Sequence, residues 1–317
     1  MATDGENSSR LDDAVRAGWL YYIAGKTQDD IARLLNVSRP TAQRFVSICR
    51  SEGLITFRME HPIAACMELA GQLSERFGLV HCDVVPGDGS VETSAVGVAE
   101  ATAVYIERIL RSRQGLIMAL GTGRAVRSSV ERVSPVACPS HRLVSLVGNI
   151  SPDGSATPFD PLGRLADIVK APYYPMPLPM HVSSPEERDL LLGIAPIRKI
   201  FELAAKADIW ITGVSQIAHD ALLYKDGFIS RDEVCELIRL GAVGEMVGWA
   251  FDAEGRLIEG GVNTRITSVP PQVGGDRPSI CIAYGPSKVI PIRSAFKGRL
   301  FNGLITDEAT ARALLDE

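Results

Sequence analysis

The sequence predicts an α/β protein in two parts, an N-terminal all-α helix-turn-helix domain and a larger, mostly parallel α/β domain. Two observations predict this fold class. Residues 27–55 contain two short helical patterns joined by a tight turn. Beyond the first sixty or so residues, short apolar runs alternate with helical stretches, which is typical of a parallel sheet covered on both faces. We therefore expect domains at residues 1–60 and 61–317.

Each short helical pattern in the N-terminal domain has its own start signal. Thr27 precedes the first and Ser38 precedes the second, where a hydroxyl oxygen can accept hydrogen bonds from free backbone amides. Pro40 falls in the first turn of the second helix, where its missing amide costs no hydrogen bond. Asn36 lies in the turn and tolerates a left-handed backbone. These features predict two separate helices.

The spacing of small and apolar residues identifies the pair as a helix-turn-helix, a DNA-binding motif. Two helices that cross closely need a small residue at the crossing, and Ala32 provides it. Apolar residues at the remaining spacings seal the shared core: Ile31, Leu35, Val37, Ala42 and Phe45.

Charge in this segment favours DNA as the partner. Between Ile31 and Ser51 the ionised side chains are all arginines, with no carboxylate. A helical hairpin with solvated arginines is the alternative, but caps, spacing and charge together favour the DNA reader. The predicted DNA contacts come from the two helix starts and the exposed face of the second helix: Thr27, Gln28, Ser38, Arg39, Thr41, Gln43 and Arg44.

Length and composition indicate a globular protein with a substantial core. At 317 residues the chain is long for one domain, and 46% of its residues are hydrophobic and 22% charged. The formal net charge is −5, yet residues 1–60 hold eight basic and eight acidic side chains. The acidity therefore belongs to the second domain, and the overall charge says little about DNA binding.

Cysteine spacing and hydropathy exclude several classes of protein. The six cysteines show no CxxC pair or Cys/His spacing, so we expect neither a metal site nor a disulfide framework. We also expect no cofactor. The polar N-terminus and the lack of an apolar run near about 18 residues predict a cytoplasmic protein without an export signal or membrane span.

The second domain is predicted to follow a linker at residues 56–62, and residues 1–9 are predicted to be disordered. A helix is expected at 64–77. Strands are expected at 80–85, 116–120, 143–147, 209–212 and 280–284, and further helices at 91–110, 124–133, 197–205 and 231–240. Residues 151–161 and 175–185 are rich in Pro and Gly and are expected to form loops, which either shape a ligand pocket or simply cover the surface.

Candidate ligand residues follow the predicted strands, because loop amides and helix starts converge at the carboxyl ends of parallel strands. Gly121-Thr122-Gly123-Arg124 follows one strand and can hold a phosphate through backbone amides, a hydroxyl and a guanidinium. A tight turn without a ligand is the alternative, since short Gly-x-Gly loops are weak signals.

Other strand ends add weaker candidates. Gly148-Asn149 and Gly213-Val214-Ser215 follow two strands, and Lys288 follows a third, where a cation can meet an anionic group. Asp252 can accept hydrogen bonds from sugar hydroxyls, although an Asp-x-x-Gly turn is more often part of a hairpin. For Asp252 or Lys288 in isolation, an ordinary solvated side chain is the more frequent outcome.

These residues resemble the SorC family of bacterial sugar-responsive transcription regulators over nearly the whole chain. In the N-terminal domain the matching motifs are Tyr21-Tyr22, Gln28-Asp29-Asp30-Ile31-Ala32 and Ser38-Arg39. In the second domain they are Gly121 to Arg124, Ala207-Asp208 before Gly213, Gly241 to Glu245 before Asp252 and Gly255, Lys288, and Asn302 to Glu308. Ala125 departs from the pattern, because a hydroxyl residue is common after the arginine.

The resemblance implies a regulator of a sugar or polyol operon with an effector domain similar to the sugar-phosphate isomerase fold. It implies that a phosphorylated sugar or polyol is the effector and that double-stranded operator DNA is the target. Gly121, Thr122, Gly123 and Arg124 would hold the phosphate, and Lys288 an anionic end. Gly148, Asn149 and Asp252 would contact the sugar. A homodimer or homotetramer is expected, since such readers bind paired half-sites.

Two other classes remain open from the residues alone. An isomerase-like enzyme with an appended DNA-binding domain needs an acid and a base over adjacent carbons, yet no histidine lies in a candidate loop, and we name no catalytic residue. A structural nucleoid or adaptor protein fits the DNA reader but leaves about 250 residues of looped α/β domain unexplained.

Overall fold

The computed structural model describes residues 4–55 and 63–316, with side chains from residue 11 onward. The chain divides into two units, Met1–His61 and Pro62–Glu317. The predicted linker at 56–62 lies outside the described residues. Within the described ranges, no helix is both long enough and apolar enough to cross a bilayer.

The first unit is entirely helical in its described part. It contains α1 (Asp4–Gly18), a π-helical turn (Trp19–Ile23), α2 (Gln28–Leu35) and α3 (Arg39–Ser51). The prediction of disorder at residues 1–9 was wrong from Asp4 onward.

The core of the first unit is built on small residues at the helix crossings. Ala17, Ile31, Ala32, Ala42 and Val46 are buried together. The predicted core residues Leu35, Val37 and Phe45 are only partly buried and pack around this cluster. The crossing between α1 and α3 is also tight, because a Cβ on Gly18 would lie 2.2 Å from the sulfur of Cys49.

A seven-stranded parallel sheet forms the second unit, in the order β1-β10-β9-β5-β2-β3-β4. Its strands are β1 (His81–Val85), β2 (Ile117–Leu120), β3 (Arg142–Ile150), β4 (Tyr173–Pro179), β5 (Ile209–Thr212), β9 (Ser279–Ile282) and β10 (Gly303–Asp307). A smaller antiparallel sheet contains β6 (Ser215–Gln216), β7 (Ala242–Met246) and β8 (Trp249–Asp252). The predicted fold class, α/β with a mostly parallel sheet, is confirmed.

Helices cover both faces of the large sheet. The helices of the second unit are α4 (Ala64–Phe77), α5 (Val91–Ser112), α6 (Arg124–Val130), α7 (Leu162–Val169), α8 (Pro185–Leu192), α9 (Ala195–Ala205), α10 (Leu222–Lys225), α11 (Arg231–Arg239), α12 (Val289–Lys297) and α13 (Glu308–Leu315). In β2, Met118 and Leu120 contribute to one core cluster and Ala119 to the other. Successive strand residues point to opposite faces, so a doubly covered strand is apolar throughout.

Two strands of the large sheet were not predicted. The segment 175–185 was predicted as a loop because of its prolines, yet β4 runs through Pro175 and Pro177 to Pro179. β4 pairs only with β3 and forms one edge of the sheet. Proline is tolerated on an edge strand because its missing amide interrupts no second ladder. β10 was also missed as a strand, although the whole of it lies within the quoted motif Asn302 to Glu308.

His181 lies just after β4 in a buried, charged environment. Its two ring nitrogens are buried and have no hydrogen-bond partner among the described residues, although part of the residue reaches the surface. Burial and, to a smaller extent, the positive charge of Arg265 lower the pKa of this imidazole to about 4, and Glu233 opposes the change. The imidazole is therefore held in its neutral form.

We expect His181 to make the protein acid-labile. Its pKa in the folded chain lies below the ordinary value of 6.5, so the unfolded chain binds the proton more tightly. Above pH 6.5, His181 does not reduce the free energy of unfolding. As the pH drops towards 4, protonation of this imidazole in the unfolded chain lowers that free energy by up to about 3 kcal/mol. His181→Leu should flatten this dependence in urea titrations across pH 4–7.

The matched control is His219→Gln, which removes an exposed imidazole from the same unit. Its pH profile should follow that of the wild type. An unchanged slope in His181→Leu would mean that other groups cause the acid sensitivity.

Candidate functional site

The helix starts in the first unit are fixed by side-chain caps. The Thr27 hydroxyl accepts from the amide of Asp30 at 3.2 Å, and the Asp30 carboxylate accepts from the amide of Thr27 at 3.2 Å. The Thr27 hydroxyl also donates to that carboxylate, which lowers the pKa of Asp30. Ser38 caps α3 by accepting from the amide of Thr41 at 3.3 Å. These caps orient α3 relative to α2.

The turn between α2 and α3 has the left-handed residue that the sequence predicts. Asn36 has φ of 53° and ψ of 46°, and its amide donates to the carbonyls of Ala32 and Arg33. An asparagine adopts this conformation at lower cost than most side chains.

Four of the seven predicted DNA-contacting residues belong to α3, and three of these four are exposed. Arg39, Gln43 and Arg44 are exposed, whereas Thr41 is half-buried and shares a 2.8 Å hydrogen bond with Ser38. Arg39 also forms an exposed ion pair with Asp29, at 3.3 Å. At the start of α2, Thr27 is exposed and Gln28 half-buried. The sequence did not select Lys26, which lines a shallow depression together with Thr27, Gln28 and Arg39.

In the second unit, the strand order reverses between β2 and β5. From β2 the chain continues to β3 and β4 on one side, and β5 begins the opposite side with β9 and β10. Val126 and Val130 of α6 pack on one face of the sheet, whereas Val214 and Ile217, which follow β5, pack on the other. The chain therefore leaves these neighbouring strands in opposite directions, which opens a crevice at their carboxyl ends.

A cavity of about 310 Å³ occupies this crevice. The loops after β2, β5 and β9 all contribute to its wall. Polar or charged lining residues include Thr122, Arg124, Thr157, Thr212, Ser215, Asp226, Glu245, Tyr284, Ser287 and Lys288. Apolar lining comes from Phe159, Met180, Val214, Leu222, Leu223, Phe228 and Val247, among others. The mixture suits a small ligand with both polar and apolar faces.

Arg124 stands at the mouth of this cavity and is bound by residues from two distant segments. Its outer guanidinium nitrogens donate to the two carboxylate oxygens of Asp226, at 3.1 and 2.7 Å. The guanidinium also lies over the ring of Phe159, 4.5 Å from the centroid. A guanidinium held this way is positioned to bind an anion, but the Asp226 carboxylate already occupies its two outer nitrogens.

A second cation, Lys288, lies deeper in the cavity. Its Nζ donates to the Ser215 hydroxyl at 3.4 Å. Burial lowers the pKa of Lys288, and the nearby carboxylate of Glu245 opposes this change. Burial likewise raises the pKa of Glu245, against the effects of the Gly248 amide, which donates to it at 2.8 Å, and of Lys288. The amino group of Lys288 and the carboxyl group of Glu245 therefore lie close together in the wall of the cavity.

Gly121 and Gly123, the two glycines of the loop after β2, are required for different reasons. A Cβ on Gly121 would lie 2.0 Å from the Thr212 hydroxyl, so only glycine lets the loops after β2 and β5 approach. Gly123 has φ of 124°, which other residues rarely adopt. The amide of Gly121 donates to the carbonyl of Ile211 at 2.9 Å and is thus engaged within the sheet.

Four predicted ligand residues are not among those that line the cavity: Gly121, Gly148, Asn149 and Asp252. Gly148 lies in β3 against the next strand, where a Cβ would be 2.2 Å from the carbonyl oxygen of Leu178. The carbonyl of Asn149 accepts from the amide of Thr157 at 2.8 Å. The Asp252 carboxylate accepts from the amides of Glu254 and Arg256, both at 2.9 Å, which is the hairpin geometry considered as the alternative.

Several cavity residues were not selected from the sequence. Asp226, Phe159 and Glu245 line it, and no motif marked Asp226 or Phe159, whereas Ser215 lay in the predicted Gly213-Val214-Ser215 loop. Glu245 stood within the quoted Gly241–Glu245 motif, and Phe159 lies in the irregular segment 151–161, for which a ligand pocket was one of two expectations. Among the described residues, no group of three or more His, Cys, Asp or Glu side chains is arranged to hold a metal ion.

Comparison with known proteins places these sites in context. The family model with the description "Putative sugar-binding domain" matches residues 61–316. The erythritol catabolism regulatory protein EryD of Brucella abortus is 31% identical over 305 residues, covering 96% of each chain. The transcriptional regulator LsrR of an Enterobacter species is 30% identical over 308 residues, covering 95% of this chain and 91% of that protein.

The fold is also similar to that of a solved regulator. The full-length sorbitol operon regulator SorC from Klebsiella pneumoniae superimposes with a TM-score of 0.72 at 24% sequence identity. The match covers 96% of this chain and 99% of that chain. At this identity the similarity concerns the fold.

The position of Gly148 predicts a structural role. We expect Gly148→Ala to lower the free energy of unfolding by about 1–3 kcal/mol, because the added methyl group meets the β4 backbone. Gly163→Ala in α7 is the matched control, since a Cβ there has no heavy atom within 4 Å. This control should be neutral or stabilising. Thermal unfolding of both variants measures the difference, and an equally stable Gly148→Ala would contradict the prediction.

Proposed function

Because this chain belongs to the SorC family of sugar-binding transcriptional regulators, we propose that a phosphorylated sugar or polyol, bound in the cavity at the carboxyl ends of the strands, controls the binding of the protein to operator DNA. The observation that carries this proposal is the cavity itself. It brings Arg124 and Lys288 to the carboxyl ends of parallel strands, at the place where such sheets bind ligands.

The proposed assignment of ligand contacts differs in part from the one expected from the resemblance. Thr122, Gly123 and Arg124 bind the phosphate, and Lys288 binds a second polar or anionic part of the effector. Glu245 and Ser215 contact hydroxyl groups, because both line the cavity. Gly121, Gly148, Asn149 and Asp252 then support the surrounding backbone, so Gly121 is no longer assigned to the phosphate.

The first unit is proposed to read operator DNA through α3. Arg39, Gln43 and Arg44 are exposed on that helix and can bond base edges or phosphates in a major groove. Readers of this type bind paired half-sites, so the active species is a homodimer or homotetramer working on cytoplasmic DNA. The effector alters DNA affinity by binding one arrangement of subunits better, with a coupling typically of about 1–3 kcal/mol.

A role as an isomerase is not favoured. EryD, LsrR and SorC, to which this chain is similar, are all named as regulators. Two carboxylates line the cavity, but Asp226 is bound by Arg124, and Glu245 faces Lys288 and accepts from the Gly248 amide. Turnover of a sugar phosphate by purified protein would reverse this conclusion.

Removing a basic side chain from α3 should weaken DNA binding. We expect Arg44→Ala to reduce affinity for a fragment flanking its own gene by about tenfold at moderate salt. If Arg44 contacts a phosphate, the dependence of log K on log salt should also become shallower by about 0.9. Fluorescence anisotropy at several salt concentrations measures both quantities.

Arg16→Ala is the control for that experiment, because it removes an exposed arginine from α1 of the same unit. It should change affinity by less than about twofold. Equal losses in the two variants would argue against α3 as the reading helix.

Removing either cavity cation should weaken effector binding. We expect Arg124→Gln and Lys288→Gln to bind phosphorylated ketoses or polyols at least about tenfold more weakly, since each loses a charge-assisted hydrogen bond. Calorimetry and thermal shift with a panel of sugar phosphates and their unphosphorylated parents measure this loss.

Lys225→Gln provides the control, because Lys225 is exposed and pairs with Asp220 outside the cavity wall. It should bind the same ligands as the wild type does. Equal affinity of the wild type for phosphorylated and unphosphorylated sugars would contradict the assignment of a phosphate site.

A further inference from the structure

The contact between Arg124 and Asp226 uses the part of the guanidinium that best recognises an anion. The two outer nitrogens of Arg124 face both oxygens of Asp226, at 3.1 and 2.7 Å. Phosphates and carboxylates bind arginine through this same pair of parallel donors. A guanidinium fully engaged by Asp226 cannot present that pair to another anion.

We propose that Asp226 is an intramolecular competitor of the effector's phosphate for Arg124, and that it thereby sets the charge an effector must carry. This inference rests on the proposed function, because it concerns the same cavity. The effector binds productively when its phosphate replaces the Asp226 carboxylate on Arg124.

The charge balance of the cavity supports this competition. Among the described residues that line it, the charged side chains are Arg124, Lys288, Asp226 and Glu245. Each cation thus has a nearby carboxylate, at Asp226 for Arg124 and at Glu245 for Lys288. A phosphate dianion carries more charge than the carboxylate it replaces, whereas an uncharged polyol cannot displace it. The competition therefore favours dianions over sugar acids and neutral sugars.

Asp226 belongs to a segment that forms part of the cavity wall. We call residues 218–229, which join β6 to α11, the latch segment. Leu222, Leu223 and Phe228 of this segment line the cavity beside Asp226. Displacement of Asp226 therefore affects the apolar wall of the cavity as well as the ion pair with Arg124.

Local hydrogen bonds make the latch segment a compact element. The amide of Asp226 donates to the carbonyl of Leu222 at 2.8 Å, and the amide of Phe228 donates to that of Leu223 at 2.8 Å. The segment leads directly into α11, whose first turn is capped by Ser230 and Glu233. A shift of Asp226 is thus transmitted to the backbone around it. A ligand whose charge displaces Asp226 therefore also changes the backbone of the latch segment.

The decisive experiment compares two substitutions in the latch segment. Asp226→Asn removes the competing charge, and Asp220→Asn removes the same charge from an exposed residue that pairs with Lys225. We expect Asp226→Asn to bind a sugar phosphate from the panel about fivefold to tenfold more tightly than the wild type. Asp220→Asn should change the affinity by less than about twofold.

Hydrogen exchange on the wild-type protein gives a second test that needs no substitution. Saturation with the same sugar phosphate should slow exchange in residues 122–126 and accelerate it in residues 222–228, because the latch segment loses its bond to Arg124. Slower exchange in both segments would show that the latch segment closes over the ligand while Asp226 remains bound to Arg124. This result would overturn the proposal.

The outcomes separate this inference from the proposed function. Binding by the wild type with no gain, or a loss, in folded Asp226→Asn overturns the competition but leaves the effector site intact. If the wild type and both variants bind no phosphorylated sugar, both the proposed function and the competition fail. A tighter Asp226→Asn, with an unchanged Asp220→Asn, supports the competition.

Discussion

The reversal of strand order between β2 and β5 is the constraint on which the ligand site depends. Neighbouring parallel strands that continue in opposite directions leave a crevice at their carboxyl ends. Gly121 and Thr212 lie in contact across it, and the absence of a side chain at position 121 permits this approach. The loops that follow the two strands can then contribute to one cavity, although they are far apart in the sequence.

Charge neutrality within that cavity shapes its chemistry. Buried or half-buried cations are costly unless carboxylates accompany them. Lys288 is half-buried and lies near the Glu245 carboxyl group, whereas the exposed Arg124 is paired with the less exposed Asp226, so both cations have a carboxyl group beside them. Under the proposed competition, an anionic ligand must displace the Asp226 carboxylate from Arg124 before it can bind there.

The two units use different physical devices for recognition. In the first unit, side-chain caps and a left-handed Asn36 fix the path of the backbone, and exposed polar residues project from the helix they define. In the second unit, recognition comes from loops held by a rigid, doubly covered sheet. A family with these two devices can vary its effector by changing loop residues while the sheet remains the same.

The sequence by itself determined most of the element types, the helix-turn-helix with its caps, and the glycine-containing loop at residues 121–124, because each depends on neighbours within a few positions. It misread β4, since prolines are allowed there only by the strand's position at the sheet edge. The tertiary structure alone decided that Asp252 serves a hairpin turn and that Asp226, 102 positions from Arg124, meets its guanidinium. Local periodicity specifies strands and helices, but strand order decides which distant loops share a cavity and which charges must be paired inside it.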